Sequence, residues 1–279
     1  MADKVKHPKA HAKTERRIST IYRALRVVGR EQTAELLRRC RRVVEGKAKP
    51  AVIAPVYTGE LRAAVKHGMV EAFKEGRRSM EKKIAAKLRS APASVRELIR
   101  PEQRVLAAVR ELDNDVLKYS EVAAEYDKWA GQVVGGRFAE TVKAARTVVT
   151  DGIRQGVPWQ DYDWDKDLGK YTQPGLGSQL GTVLDGYETW QLLRVAITEH
   201  TRSVGLGDVY AIDRDELAVG GIWVVEYKGC EICTPRDGRT FTTAVLREIF
   251  PGHPNCQCMI DPAFAWEDRE VEKEYRMAA

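Results

Sequence analysis

The chain is short of the features that would place it in several large classes. Its 279 residues contain no run of 18 uncharged apolar residues, so no membrane span is expected. The opening MADKVKHPKAHAKTERR carries charge with no apolar core behind it. No secretory signal is therefore expected, and the protein is expected to be made and assembled in a cytoplasm. Histidine is scarce, and His7, His11 and His67 sit among basic residues in contexts that suggest no catalysis. There is no H-E-x-x-H, no G-x-S-x-G, no Walker loop and no H-x-E paired with P-C-x-x-C, so the commonest zinc protease, serine hydrolase, nucleotidase and deaminase signatures are missing. No fixed-period repeat points to a solenoid. With 43% hydrophobic and 31% charged residues the composition is that of a globular protein. A chain of this size buries about 75% of its unfolded surface and needs no disulfide staples.

Charge is unevenly placed. Residues 1–100 hold 26 Lys and Arg against 10 Asp and Glu, a net +16, while the remainder is net −10. A basic arm in front of an acidic body points to an anionic partner, either nucleic acid or an acidic protein surface. The plainer reading is a solvated helix face. The candidate contact residues are Arg16, Arg17, Arg23, Arg26, Arg30, Arg38, Arg39, Arg41 and Arg42.

Apolar spacing predicts helices through the first 150 residues. One runs from Thr14 to Glu45 through Ile18, Leu25, Leu36, Cys40 and Val44, with Gly29 as a candidate break. A loop over 46–59 precedes a second helix from Glu60 to Arg89. Ser94-x-x-Glu97 reads as a capping box opening a third segment through Leu117, and a fourth helix spans Ser120 to Thr150. From Asp151 to residue 180, glycines, prolines and five aspartates predict a loop or short-element region. A helix capped by Thr182-x-x-Asp185 and ended by Gly205 is expected next, then a strand over Gly221–Tyr227. An Asp237-Gly238 turn, a short helix over Thr243–Phe250 and a closing strand over Met259–Pro262 complete the sequence. The predicted class is α+β: a basic helical region over 1–150, a small α+β module over 151–264 that folds without the first hundred residues, and a charged tail, helical or frayed, over 265–279.

The strongest chemical signal lies near the end. Cys230-Glu-Ile-Cys233 and His253-Pro-Asn-Cys256-Gln-Cys258 bring five soft or borderline donors from two segments. A C-x-x-C pair places two thiolates on one ion, and a second loop completes a tetrahedral, closed, structural zinc site. Five candidates compete for four places. Cys230, Cys233 and Cys258 are favoured, with either His253 or Cys256 as the fourth. Disulfides and unbound thiols are the competing readings, and a cytoplasmic setting disfavours stable disulfides.

The wording around these donors is more specific than metal spacing. Trp223-Val-Val-Glu-Tyr-Lys-Gly-Cys230-Glu-Ile-Cys233, then Asp237-Gly238-Arg-Thr-Phe241, then Pro251-Gly-His253-Pro254-Asn255-Cys256-Gln-Cys258 resembles the phage head morphogenesis, or Mu F-like minor head protein, family. Thr198-Glu199 is similar to the end of a family helix that usually reads Arg-Thr-Glu; here Ile197 precedes the threonine and Arg194 lies one turn earlier. The resemblance covers roughly residues 140–262. It implies a non-enzymatic minor structural protein of a tailed-phage head, present in few copies in the head interior or at the portal vertex. It further implies association with the portal protein during procapsid assembly, with the major capsid or scaffold protein and packaged double-stranded DNA as further candidate partners, and a link to packaging or ejection. Thr198, Glu199 and Trp223 would be structural.

Other candidates are weaker. Asp161-x-Asp163-x-Asp165-x-Asp167 is superficially a calcium loop, but Lys166 stands where a sharp turn needs Gly and Thr172 where a bidentate carboxylate is needed. Glu199 and His200 point about 100° apart on a helix and would not share one proton. Cys40 has the helical phase of the core. The alternative function is a zinc-stabilised nucleic-acid-binding protein, nuclease or toxin-like effector using Glu199 or His200.

Overall fold

The computed structural model describes residues 8–56, 58–96, 118–225, 229–267 and 269–272. Six helices are described over their full length: α1 (Pro8–Val44), α2 (Thr58–Arg89), α3 (Lys118–Gln155), α4 (Leu176–Gly186), α5 (Leu192–Asp213) and α6 (Thr243–Ile249). A π-helical turn, Tyr187–Gln191, joins α4 to α5. The strands are β1 (Tyr162–Asp165), β2 (Lys170–Gln173), β3 (Ala218–Val224), β4 (Thr240–Phe241), β5 (Met259–Phe264) and β6 (Val271–Glu272). The α+β class expected from the sequence is what the chain adopts.

The chain divides into two compact units, each assembled from separated segments: Ile18–Lys66 with Asp127–Ala196, and Met1–Arg17 with His67–Tyr126 and Ile197–Ala279. The change at residue 150 therefore marks a change of element type, while the packing follows a different division. In the first unit α1 buries Ile18, Leu25, Leu36, Cys40 and Val43, α3 buries Phe138, Val142 and Val149, and α4 buries Leu176, Leu180 and Leu184. Gly29 does not break α1. It lets Leu192 approach, since a Cβ there would lie 2.5 Å from Leu192 Cδ1. The Tyr187 hydroxyl donates to Gln32 Oε1 at 2.9 Å, and Gln32 Nε2 donates to the Val56 carbonyl at 2.8 Å, so these buried polar groups are satisfied. Arg62 Nε donates to Asp127 Oδ1 at 3.1 Å.

The second unit packs α2 and α5 against one face of a four-stranded sheet ordered β5-β3-β4-β6, antiparallel except for the β4–β6 pair. Met80, Ile84 and Leu88 of α2 share a core with Val209 and Ile212 of α5, Trp223, Phe241, Ile260 and Phe264 of the sheet, and Leu246 of α6. This corrects the expectation of a self-contained module over 151–264, because α2 supplies part of its core. The helices touch backbone to backbone: a Cβ at Gly76 would lie 2.1 Å from the Val204 carbonyl oxygen, and one at Gly207 2.2 Å from that of Phe73. Two lysines then tie α2 to β5 and the turn after it. Lys83 Nζ donates to Asp261 Oδ1 at 2.6 Å, and Lys87 Nζ to the Pro262 carbonyl and Glu267 Oε1, each at 2.7 Å.

Other local expectations shift. The helix expected to begin at Thr182 starts at Leu176, and the Thr182 hydroxyl donates to the Ser178 carbonyl in mid-helix. Gly205 does not end α5, which continues to Asp213; it faces the Phe250 ring instead. The loop or short-element region expected over 151–180 holds the β1–β2 hairpin, and the tail holds β6 rather than helix alone. Ala93–Arg96 is helical, but Glu97 and the rest of the expected third segment, His7, and residues 273–279 lie outside the described residues.

Candidate metal centre

Both donor-bearing loops hang from the sheet. After β3 the first loop reaches Cys230, and a tight turn follows: the Cys233 and Thr234 N–H groups donate to the Cys230 carbonyl at 3.1 and 2.9 Å. The Cys233 N–H also points at Cys230 Sγ, 3.4 Å away. A 3₁₀ turn over Thr234–Arg236 leads to the Asp237-Gly238 corner. Gly238 is in the left-handed region at φ 77°, where a side chain is disfavoured. Its N–H donates to the Trp223 carbonyl at 2.8 Å, while the Trp223 N–H donates to the Arg239 carbonyl at 2.9 Å. Asp237 Oδ1 accepts from the Val225 N–H at 2.8 Å. The corner is thus stitched to the strand that carries Trp223.

The second loop leaves α6 through Phe250 and a cis Phe250–Pro251 bond. Asn255, also left-handed at φ 65°, turns the chain between His253 and Cys256. Its N–H donates to Thr198 Oγ1 of α5 at 3.0 Å, so that hydroxyl holds the loop at its tightest point. His253 Nδ1 lies 2.7 Å from the Pro254 carbonyl, which fixes the proton on Nδ1 and turns the Nε2 lone pair toward Cys230 Sγ, 3.0 Å away.

All five expected donors come together. Their ligand atoms form two triads, Cys230–Cys233–His253 and Cys233–Cys256–Cys258, each with its atoms within 4.8 Å of one another. Cys233 belongs to both. The cysteines are unbridged, and Cys233 Sγ lies 3.8 Å from Cys256 Sγ. That is far beyond a sulfur–sulfur bond of about 2.05 Å, and it matches the edge of about 3.8 Å of a tetrahedron whose metal–sulfur bonds are about 2.3 Å. The cluster can hold a metal ion. Hydrogen bonds from the Cys233 and Cys258 thiols, helped by the backbone at Cys258 and Gly252, hold the Cys256 thiol well below its usual range against the opposing effect of burial. Donating to Cys256, and buried besides, Cys233 is pushed the other way.

A cation sits beside this cluster that the sequence reading missed. Arg236 is buried, with its guanidinium 5.0 Å from the Trp223 ring. A Cβ at Gly252 would fall 2.7 Å from Arg236 Nη1, 3.3 Å from Cys233 Sγ and 3.4 Å from Trp223 Cζ2, so only glycine lets all three meet there. Trp223 is completely buried between Arg236 and Phe250, whose ring is 5.0 Å away. Glu199 does not reach the cluster; its carboxylate pairs with Arg202 at 3.4 Å, and both Glu199 and His200 are buried.

The other candidates separate. Among the α1 arginines, Arg16, Arg23, Arg30, Arg38, Arg41 and Arg42 are exposed and Arg26 and Arg39 half-buried, while Arg17 lies on the same helix. Several are engaged within the chain: Arg38 and Arg39 with Glu35, Arg41 with Glu45, and Arg30 with Glu188. The aspartate run supports turns. Asp165 Oδ1 accepts the Asp167 and Leu168 N–H groups, and Asp161 Oδ1 that of Gly175. Burial pushes the Cys40 thiol up to about 11, in keeping with a core residue. No protein-family model, curated protein or solved structure matches the chain.

Proposed function

We propose that the protein is a minor structural component of a tailed-phage head that binds the portal or procapsid and assists head morphogenesis, DNA packaging or ejection. The observation that carries this reading is the agreement between the ordered motif and one folded unit. The Trp223 strand, the C-x-x-C turn, the Asp237-Gly238 corner and the H-P-N-C-x-C loop occur in the order that resembles the Mu F-like family, and they converge on one cluster. The ion is zinc, held structurally by four of Cys230, Cys233, His253, Cys256 and Cys258. Thiolate-rich donors and the tetrahedral edge between Cys233 and Cys256 suit zinc, and such a closed set leaves no position for a reacting water. When bound, zinc ties the two loops together and can contribute on the order of 10 kcal/mol to folding. The exposed arginines of α1 serve as the contact face for packaged double-stranded DNA or an acidic capsid, scaffold or portal surface, an attraction that weakens as salt rises.

Quantitative mass spectrometry of purified DNA-filled particles from the source phage or induced prophage tests the reading. A few copies of the chain per particle, counted against the portal subunit, are expected. Absence from clean particles overturns the virion reading and directs attention to nuclease or effector assays on the isolated protein. Metal analysis of the purified chain is expected to return one zinc per molecule.

A further inference from the structure

The β1–β2 hairpin forms a two-stranded sheet of its own among the described residues, and six of its eight strand residues are exposed. A hairpin of this size is marginally stable alone in water, yet this one is carefully braced. Asp165 Oδ1 accepts the Asp167 N–H at 2.9 Å and the Leu168 N–H at 3.0 Å, and Gly169 turns the tip at φ 60°. Thr172 donates to the Asp163 carbonyl at 2.8 Å, where the chain is left-handed. At the base, Asp161 Oδ1 accepts the Gly175 N–H at 2.8 Å. The braced arm presents the cross-strand pair Trp164 and Tyr171, edge to face at 4.8 Å between ring centroids. They are 53% and 55% exposed, and Leu168 at the tip is 60% exposed. Asp163 and Asp167 put two exposed carboxylates on this arm, alongside the exposed Lys166 and Lys170. Aromatic residues held rigidly and ringed by charge are the anatomy of an interface core rather than of a solvated loop.

The outer face of α1, in the same compact unit, is its complement. Opposite the buried stripe run Arg23, Val27, Arg30, Ala34, Arg38 and Arg41, all exposed at three-to-four spacing, with Val27 62% exposed between Arg23 and Arg30. One surface is an apolar plate that carries the Asp163 and Asp167 carboxylates, and the other an apolar point between the Arg23 and Arg30 guanidinium groups. Guanidinium groups bind ring faces as well as carboxylates. The same helix already makes such a contact, with Arg41 5.9 Å from the Trp159 ring centre.

We propose that the hairpin of one copy docks on the arginine face of α1 of a second copy. Trp164, Tyr171 and Leu168 cover Val27, and Asp163 and Asp167 meet Arg23 and Arg30. The two surfaces differ, so the contact is head to tail: each growing assembly keeps one free hairpin and one free α1 face, and it ends as a ring or extends as a filament. The proposal rests on neither the zinc site nor the virion reading, and of the exposed α1 arginines it takes Arg23 and Arg30, leaving Arg16, Arg38, Arg41 and Arg42 to an anionic partner.

Sedimentation velocity of the full, nuclease-treated chain tests it. At low salt the mean mass is expected to rise with concentration, and at high salt to fall to that of a monomer. Asp163→Lys with Asp167→Lys is expected to abolish association, and so is Arg23→Glu with Arg30→Glu. Mixed one to one, these two variants are expected to associate again, because the native hairpin of the arginine variant meets the native α1 face of the aspartate variant and the introduced lysines face the introduced glutamates. Trp164→Ser with Tyr171→Ser removes the apolar centre without altering charge and is expected to weaken association at least tenfold. All six side chains are exposed, and unchanged melting of each variant confirms its fold. A wild-type chain monomeric at low salt at every concentration overturns the proposal. So does association that survives both charge reversals, or a mixture that stays monomeric. If the arginine variant alone loses DNA binding while self-association persists, the α1 face belongs to nucleic acid and the proposal fails.

Discussion

Cys233 stands where the two donor triads overlap, so any four-ligand set that keeps a complete triad includes it. Cys233→Ser is therefore expected to release the metal entirely and melt the sheet-bearing unit. His253→Ala or Cys258→Ala, which breaks one triad only, should leave weakened binding. Metal content and thermal unfolding of the three variants check this order, and equal losses in all three would refute it. Arg236 contributes as a neighbouring cation: Arg236→Met is expected to loosen metal retention against a chelator, with Arg236→Lys restoring part of it. Asp208 makes a pH prediction. Burial pushes its carboxyl well above the usual range, Lys83 pulls it down and Asp261 pushes it up again. The folded protein thus holds this proton longer than the unfolded chain, so the group's stabilising effect is full below about pH 4 and is lost as pH rises through its raised value. Asp208→Asn is expected to raise the denaturation midpoint at pH 7 and leave it nearly unchanged at pH 4. A difference that does not vary with pH would count against it. The metal donors were legible in the sequence because a metal accepts few residue types at short spacings. Thr198 was legible only through resemblance: its partner is the backbone N–H of Asn255, 57 residues away, and a backbone group leaves no mark in the sequence.

Among the elements, the long helices could be read because inward apolar residues recur over about seven turns. The hairpin could not, since four-residue strands lying in a glycine- and aspartate-rich stretch look like loop, and neither face is buried to impose alternation. Glycines misled for a related reason. Gly29 and Gly205 have the residue type of helix breakers but are sites of close packing, a distinction that depends on a neighbour far away in the chain. Their tolerance should differ from that of the α2–α5 crossing. A Cβ at Gly29 meets the mobile end of Leu192, whereas one at Gly76 meets the Val204 backbone. Gly76→Ala is expected to cost about 1–3 kcal/mol, the range of overpacking, and more than Gly29→Ala; denaturant titration of both variants compares them.

Across the whole molecule, the shared core makes sequence order a poor guide to what folds together. A fragment starting at residue 151 lacks Met80, Ile84 and Leu88 and the lysines that bind β5. It is expected to show no cooperative unfolding transition, and adding a peptide covering residues 58–96 should restore one. A cooperative, metal-loaded fragment would show that the sheet needs nothing from α2. The basic first hundred residues and the acidic remainder were visible as composition, but the mixing of their segments in each unit was not, because composition carries no information about partners distant in sequence.

Lys87 finds its acceptor at Pro262, 175 residues later. On a ribosome adding about 5–20 residues per second, that interval is roughly 10–35 s. Throughout it the apolar face of α2 has been made and its sheet has not. Each nascent chain must therefore carry the apolar face of α2 through more than half of its own translation before the last strand of its sheet is made, an interval in which that face is open to other partners.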